Sequence, residues 1–327
     1  MFEEFWKRIR KKKNVVGYSK TLKPRIRNGV IVPGEQVLRV YVSKKAQSIQ
    51  EYNELKKTGN LVPEKFQDIP TDVVEIGELR ALPEYRERIR PVKAGISAMG
   101  VWKGSTACTL GNFAKSIKKG EEDLEGYIAN CHCAANCNKA PIGTKYIQPS
   151  PYDGGKPETD TIGTLHRFVE IKFEEFNCPY RNFVHSFFRP FLGYPVNKVD
   201  IAFVKANSPI NVYEVYDIGV PEVKRRPIEG EHVQKMGRTT GHTTDGVVMD
   251  TSFAGRVNYN RGVAYFEDCV LIQKYHFSQG GDSSSPILSM EEPLSLLAQL
   301  FAGSDITTIG CYIDNIEKEL EVVVYPY

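Results

Sequence analysis

The chain has 327 residues, of which 41% are hydrophobic and 25% are charged, and its formal net charge is +3. This length allows two or three domain-sized units with ample core. So small a net charge, without clustered positive charge, argues against nucleic-acid binding. No uninterrupted apolar run approaches the ~20 residues of a membrane span, so no transmembrane segment is expected.

Residues 1–12 are predicted to form an amphipathic helix. Phe2, Phe5, Trp6 and Ile9 are spaced i, i+3, i+4, i+7, and basic residues fill much of the remainder. The favoured interpretation is that this face docks on the protein's own domain or frays in solvent, and the alternative is peripheral contact with an anionic membrane surface. The segment lacks the apolar stretch and cleavage site of a signal peptide, so a cytoplasmic location is expected.

Residues 14–83 are predicted to form a small α+β domain. Runs with alternating or β-branched residues predict three strands, at 14–17, 37–42 and 72–76. Between the last two, Ser48-Ile-Gln-Glu51 is a capping box that starts a helix, and Gly59 follows the Lys-rich end of that helix. No catalytic constellation lies here, so an accessory or propeptide-like role is the default interpretation.

Residues 83–91 are rich in Arg and Glu and are predicted to be a linker. Beyond them the chain shows many short strand-like runs separated by Gly, Pro, Asn and Asp turns. This pattern favours an all-β barrel or sandwich over alternating strands and helices.

Cys131-His132-Cys133-Ala-Ala-Asn-Cys137 joins one histidine to three cysteines at the end of a short strand-like run. One interpretation is a zinc cluster in a zinc-stabilised structural protein, although the spacing does not match paired C-x2-C knuckles. The other makes His132 a general base. The cysteines are many for a cytosolic chain and lie at positions 108, 131, 133, 137, 178, 269 and 311.

Asp200 interrupts an apolar, β-rich segment that runs from Val196 to Val204. A carboxylate in such a place is a candidate for orienting a catalytic histidine. Asp153 and Asp160 are alternatives, but both lie in Gly-rich or Thr-rich loop sequence, where solvated turn carboxylates are common.

Gly281-Asp-Ser-Ser-Ser-Pro286 presents one hydroxyl, that of Ser283, beside backbone N–H groups in a predicted turn. A serine hydroxyl is a weak nucleophile until a base takes its proton and a third group orients that base. His132 and Asp200 supply both, and the order His, Asp, Ser is the chymotrypsin order.

These motifs resemble a chymotrypsin-like (trypsin-fold, PA clan) serine peptidase of the bacterial and archaeal type. Gln148–Gly155 is similar to a loop that follows the histidine in prokaryotic members. Val233-Gln-Lys-Met-Gly-Arg-Thr-Thr-Gly241 is similar to the hairpin that opens the second barrel, and Leu300–Ser304 resembles the strand that lines the substrate cleft. The resemblance covers roughly residues 95–327.

The resemblance implies a mainly β fold, a chymotrypsin-like double β-barrel preceded by the small α+β domain. The implied domains are 1–90 for the N-terminal helix and accessory domain, 91–228 for the first barrel with His132 and Asp200, and 229–327 for the second barrel with Ser283. The active site would lie in the seam between the barrels.

The implied activity is a hydrolase, a serine endopeptidase acting on a polypeptide substrate without metal or organic cofactor. The N–H groups of Gly281 and Ser283 would form its oxyanion hole. Phe277 resembles the base of the primary specificity pocket, and Ala302 and Gly303 resemble its wall, which suggests a medium apolar side chain at the cleavage point. Many family members also bridge the positions of Cys108 and Cys133, so a disulfide between these residues is a hypothesis.

Two departures from the family pattern matter. Ser284 stands where glycine is usual, and a positive φ there would cost roughly 1–2 kcal/mol. Asp282 occupies the position that pairs with a freed amino terminus in trypsin-like zymogens, and no such terminus is identified, so activation by cleavage stays open. The alternative function is a catalytically inactive protease-fold module that binds peptides by strand addition along Leu300–Ser304.

Overall fold

The computed structural model describes residues 1–27, 30–76, 84–122, 124–174 and 195–327. The chain divides into two compact units, Met1–Leu82 and Pro83–Tyr327, which are described separately. Cys178 lies outside the described residues. The domain boundaries placed at residues 90 and 228 stay predictions. None of the helices in these ranges is long and apolar enough to span a membrane.

The N-terminal unit is a five-stranded sheet with two helices, α1 (Phe2–Ile9) and α2 (Ile49–Lys57). Its strands are β1 (Val15–Tyr18), β2 (Lys23–Arg27), β3 (Val30–Val42), β4 (Lys65–Phe66) and β5 (Ile69–Glu75). Their order is β1-β3-β5-β4, with β2 paired to β3, and β3 runs parallel to β5. The chain connection between these two parallel strands contains α2, as a crossover requires.

Helix α2 begins at the capping box that the sequence predicts, and helix α1 packs with its apolar face. The hydroxyl of Ser48 accepts a hydrogen bond from the N–H of Glu51 at 3.1 Å, which caps α2. Phe5 and Ile9 of α1 are fully buried in a cluster with β3. The apolar face of α1 therefore docks on its own unit.

The second unit contains two eight-stranded sheets. The first sheet contains β6 (Ser97–Gly100), β7 (Cys108–Thr109), β8 (Phe113–Ser116), β9 (Glu125–Ala129), β10 (Lys145–Ile147), β11 (Thr161–Phe168), β13 (Ala202–Ala206) and β21 (Val322–Val324). Its order is β21-β8-β9-β13-β11-β10-β6-β7, so the last strand of the chain returns to the first sheet. The short helix α3 (Cys131–Ala134) follows β9.

The second sheet closes on itself. It contains β12 (Val196–Asn197), β14 (Val223–Lys224), β15 (His232–Gly237), β16 (Gly241–Tyr259), β17 (Gly262–Gln273), β18 (Pro286–Ser289), β19 (Ser295–Gly303) and β20 (Thr307–Tyr312). Six of these strands pair in a ring, β15-β16-β17-β20-β19-β18 and back to β15. The helix α4 (Ile313–Leu320) follows β20. Closure pairs every strand of the ring on both sides, which removes exposed sheet edges.

Buried apolar side chains from both sheets form two core clusters. One cluster joins the first sheet to part of the second, since Ile128 and Phe203 belong to the same cluster as Phe266 and Phe301. A second cluster, which includes Val270 and Leu297, fills the interior of the closed ring. The prediction of a mainly β, chymotrypsin-like double β-barrel preceded by an α+β unit is confirmed.

The segment predicted to be a linker, residues 83–91, belongs to the second unit. Glu84–Arg86 is a turn of 3₁₀-helix. The guanidinium of Arg86 donates to the carbonyls of Arg238 and Thr239 at 2.8 and 3.1 Å. These bonds attach residues 84–86 to the connection between β15 and β16.

Candidate active site

Strand register brings His132 and Asp200 together. Strands β9 and β13 are antiparallel, with Ala129 opposite Ala202, so the residues just after β9 meet those just before β13. His132 Nδ1 lies 2.6 Å from Asp200 Oδ2, and the N–H of His132 donates to Asp200 Oδ1 at 3.1 Å. The Asp200 side chain is fully buried and that of His132 is 16% exposed. The carboxylate therefore fixes the imidazole ring from its buried side.

The two competing carboxylates have other partners. Asp153 accepts hydrogen bonds from Ser97 at 2.6 Å and from Arg238 at 2.6 and 2.8 Å. Asp160 accepts from Arg88 and from the N–H of Lys156. Burial opposes ionisation of Asp153, but the bonds from Arg238 and Ser97 outweigh it and lower its pKa. Asp200 is thus the one of these three carboxylates that contacts His132.

Asp200 has a further donor that the sequence did not reveal. The phenol of Tyr259, the last residue of β16, donates to Asp200 Oδ2 at 2.9 Å. Its ring lies 5.8 Å from that of His132, centroid to centroid. Burial, together with the charge of Asp200, raises the pKa of Tyr259 well above its usual value, so the phenol keeps its proton and donates. Nothing in the spacing of the sequence links these residues, which lie 59 positions apart.

Ser283 and His132 line the same cavity, which has a volume of about 870 Å³. Tyr259 and Gly281 line it as well. The carbonyl of Ser283 accepts from the N–H of Thr109 at 2.9 Å, which ties the serine loop to β7. Asp200 thus contacts His132, and His132 lines the same cavity as Ser283.

The turn before Ser283 requires a glycine. Gly281 has φ +100°, and a Cβ at this position would lie 2.4 Å from Thr239 Oγ1. Within the described ranges, the N–H groups of Gly281 and Ser283 donate to no protein acceptor. Both residues line the cavity.

The Asp282 carboxylate accepts hydrogen bonds within this turn and forms an ion pair with a buried lysine. Its carboxylate accepts from the N–H groups of Thr239 at 2.7 Å and Gln279 at 2.9 Å. The ammonium of Lys235 lies 3.4 Å away, and both side chains are fully buried. Burial lowers the pKa of Lys235, and Asp282 opposes that shift. The position that the resemblance associates with a freed amino terminus is here paired with a lysine of β15.

The predicted disulfide is present, between Cys108 and Cys133, with their Cα atoms 6.1 Å apart. Cys133 is therefore not a thiolate and is unsuited to the zinc cluster that the sequence left open. Burial raises the pKa of the neighbouring Cys131, whose Sγ donates to Asn138 Oδ1 at 3.2 Å. The disulfide joins β7 to α3 beside His132.

The predicted substrate-binding residues separate into two groups. Ala302 and Gly303 line the main cavity and also a smaller one of about 310 Å³, which Ser278 and Ser283 share. Phe277, in contrast, is 1% exposed and lies in the core cluster inside the closed ring. The structure does not bring Phe277 to the described cavities, because its side chain points inward while that of the next residue faces the smaller cavity.

Ser278 was missed by the sequence argument. Its hydroxyl is 2.6 Å from Thr308 Oγ1. The smaller cavity is lined by the hydroxyl-bearing Ser278, Ser283 and Ser304 and also by Asp305. The position of Phe277 in the core does not support the expected preference for a medium apolar side chain.

No protein-family model matches the chain, and no curated protein matches it. The chain is similar to the crystal structure of Nocardiopsis protease (NAPase), with a TM-score of 0.45 and 16% identity over 71% of this chain and 99% of that chain. It is similar to Thermobifida fusca protease A, with a TM-score of 0.45 and 14% identity over 71% of this chain and 98% of that chain. It is also similar to Cellulomonas bogoriensis chymotrypsin, with a TM-score of 0.46 and 17% identity over 72% of this chain and 99% of that chain. At these identities the likeness to chymotrypsin-like proteases concerns the fold alone.

Proposed function

We propose that the chain is a serine endopeptidase that hydrolyses peptide bonds with Ser283, His132 and Asp200. The observation that supports this most is the 2.6 Å contact between His132 Nδ1 and a fully buried Asp200. It leaves Nε2 as the ring nitrogen available in the cavity that Ser283 also lines. A base oriented in this way is what a serine hydroxyl needs to become a nucleophile.

In the first step, Ser283 Oγ attacks the substrate carbonyl while His132 Nε2 accepts the hydroxyl proton. Asp200 stabilises the imidazolium that forms. The N–H groups of Gly281 and Ser283 donate to the oxyanion, and each such donor contributes on the order of 10²- to 10³-fold in rate.

In the second step, the tetrahedral intermediate collapses, and His132 returns its proton to the leaving amine. Water then attacks the acyl group on Ser283, with His132 again as the base, and releases the carboxylic acid. This chemistry requires a polypeptide substrate and neither metal nor organic cofactor.

The proposal is tested by peptide hydrolysis with purified wild type, two single variants, their double variant and one control variant. We expect Ser283→Ala and His132→Ala each to lower kcat by at least about 10⁴-fold, and the double variant to lose little more, because the residues act as a unit. Ser285→Ala is the matched control. Ser285 lies in the same loop as Ser283 and is fully buried, and within the described part of the chain its hydroxyl has no hydrogen-bond partner, so kcat should stay near that of the wild type.

A folded wild type that binds peptides but does not hydrolyse them would contradict the proposal and favour the inactive peptide-binding module. Additive losses for Ser283→Ala and His132→Ala would also count against a shared mechanism.

A further inference from the structure

Ser284, the residue after the predicted nucleophile, has an unusual backbone conformation. Its φ is +78°, in the left-handed region that glycine adopts freely and serine does not. Its side chain is fully buried. A serine in this conformation implies that the hydroxyl makes interactions that a glycine would lose.

The hydroxyl of Ser284 makes a reciprocal pair of hydrogen bonds with Asn130. Oγ accepts from the N–H of Asn130 at 2.8 Å and donates to Asn130 Oδ1 at 3.1 Å. The N–H of Ser284 donates to the carbonyl of Leu300 at 2.9 Å. Two bonds between the same residues fix both distance and orientation, and buried hydrogen bonds are strong because water does not compete.

Asn130 also links Ser284 to His132 and Asp200, the other two members of the predicted triad. It is fully buried and precedes α3, two residues before His132. Its side-chain Nδ2 donates to the carbonyl of Asp200 at 2.7 Å. Asn130 thus contacts the serine loop, the start of the histidine helix and the aspartate backbone at once.

We propose that Ser284 and Asn130 form a positioning pair that sets Ser283 against His132 and Asp200. This inference rests on the proposed peptidase function. Ser283 lies in a loop of the second sheet, whereas the other two residues flank strands of the first sheet, so their mutual position depends on bonds across the seam. Displacing a reacting group by about 1 Å costs on the order of 100-fold in rate.

A merely structural role predicts a different response to substitution. If the hydroxyl only stabilised the fold, Ser284→Gly would relieve the backbone strain, lose two hydrogen bonds and leave the chemistry of each folded molecule unchanged. If the pair positions Ser283, the same variant stays folded but reacts slowly.

The test measures kcat, KM and the urea unfolding midpoint of Ser284→Gly and Ser284→Ala, with Ser285→Ala as the matched control. For Ser284→Gly we expect kcat to fall about 10- to 100-fold with KM within about twofold of the wild type. Its unfolding midpoint should stay at or above that of Ser284→Ala, because glycine tolerates the positive φ. Ser285→Ala should keep the kcat of the wild type.

A variant of Asn130 tests whether Ser284 and Asn130 act together. Asn130→Ala removes the bond from the Ser284 hydroxyl to Oδ1 and the bond from Nδ2 to the carbonyl of Asp200, but it keeps the backbone N–H that donates to Ser284 Oγ. Because both variants remove the bond to Oδ1, the losses of kcat in Ser284→Gly and Asn130→Ala should be less than additive in the double variant Ser284→Gly/Asn130→Ala. A Ser284→Gly protein that hydrolyses peptides at the rate of the wild type would overturn the positioning role and leave the peptidase proposal standing. If the folded wild type hydrolyses nothing, both proposals fall together.

Discussion

Three hydrogen bonds converge on one buried carboxylate. Asp200 accepts from the backbone and ring of His132 and from the phenol of Tyr259. Donors of this kind hold a carboxylate in a fixed orientation and reduce the cost of its burial. The orientation of the imidazole therefore depends on a residue of the second sheet, since Tyr259 ends β16.

Tyr259→Phe tests that dependence at the scale of one hydroxyl. A hydrogen bond to a charged group contributes about 1.5–3 kcal/mol, so we expect kcat to fall about 10-fold or more, since 1.36 kcal/mol corresponds to tenfold. Steady-state hydrolysis of a peptide ester measures the effect. Tyr275→Phe is the control, because Tyr275 is 67% exposed. An unchanged kcat in Tyr259→Phe would show that the phenol does not orient Asp200.

Short motifs marked His132, Asp200 and Ser283 as candidates, and the structure places Asp200 against His132, which lines the cavity that Ser283 also lines. The disulfide followed from a resemblance at two positions and is confirmed. Tyr259 and Lys235 were missed because their partners are distant in sequence and are set by strand register. Phe277, which the resemblance associates with the specificity pocket, lies in the core cluster of the closed ring, and its position in the sequence does not reveal that burial.

At the scale of elements, the hairpin of β16 and β17 contributes positive charge to the main cavity. It carries Arg256 and Arg261, and with Lys139 and Arg238 these are four cationic side chains among the described lining residues, which include no carboxylate. Asp153 pairs with Arg238, and Glu174 pairs with Arg256. Arg261 instead donates to the carbonyl of Cys137.

This charge predicts a preference for peptides with acidic residues near the cleaved bond. Lys139→Glu should raise KM for an acidic peptide about 3- to 10-fold at low salt and lower it for a basic one, because complementary charge favours binding. Peptide pairs that differ only in charge measure this. Lys119→Glu, at an exposed position of the β8–β9 connection, is the control. Equal KM values for both peptides in the wild type would contradict the prediction.

The disulfide joins β7 of the first sheet to helix α3, across 25 residues of sequence. Cross-links of that span stabilise the folded state by roughly 3 kcal/mol, in a model that attributes the effect to the unfolded chain. Cys108→Ala/Cys133→Ala should lower the free energy of unfolding by about that amount in urea. The double variant should also be insensitive to reductant, whereas the wild type should lose stability in it. Equal stability of the two proteins without reductant would contradict this account.

Helix α4 is joined to the closed ring by a shared arginine. Arg226 donates to Asp268 of β17 at 2.7 Å and to Asp314 of α4 at 2.8 Å. The hydrogen bond from Arg226 lowers the pKa of Asp268 from 3.8 to about 2. Because the folded-state pKa lies below the unfolded one, the stabilisation is present above about pH 4 and is lost as the pH falls towards 2.

Asp268→Asn should therefore destabilise the protein near neutral pH and not at pH 2. The pair is partly exposed, so solvent screening limits the expected loss at pH 6 to roughly 1 kcal/mol. Urea unfolding at pH 6 and pH 2 measures it, with Glu229→Gln, an exposed carboxylate substitution, as the control. A loss that is the same at both pH values would show that the ion pair is not its cause.

For the whole molecule, the class of fold was predictable because turn residues recur along residues 92–327 at the spacing of short strands. The pairing of the last strand was not predictable from the sequence. Strand β21 (Val322–Val324) follows the second sheet in the chain but pairs with β8 of the first sheet, through contacts between residues more than 200 positions apart. The pairing of the last strand with β8 and the apolar cluster that contains residues of both sheets connect the two sheets on which the candidate site lies.

If the peptidase proposal holds, the cavity contains one activated serine. Covalent labelling with an organophosphonate, followed by mass spectrometry of the labelled peptide, measures this activation. We expect one adduct, on Ser283, which is absent in Ser283→Ala and forms much more slowly in His132→Ala. A folded wild type that forms no adduct, or forms it on another residue, would rule out Ser283 as the nucleophile.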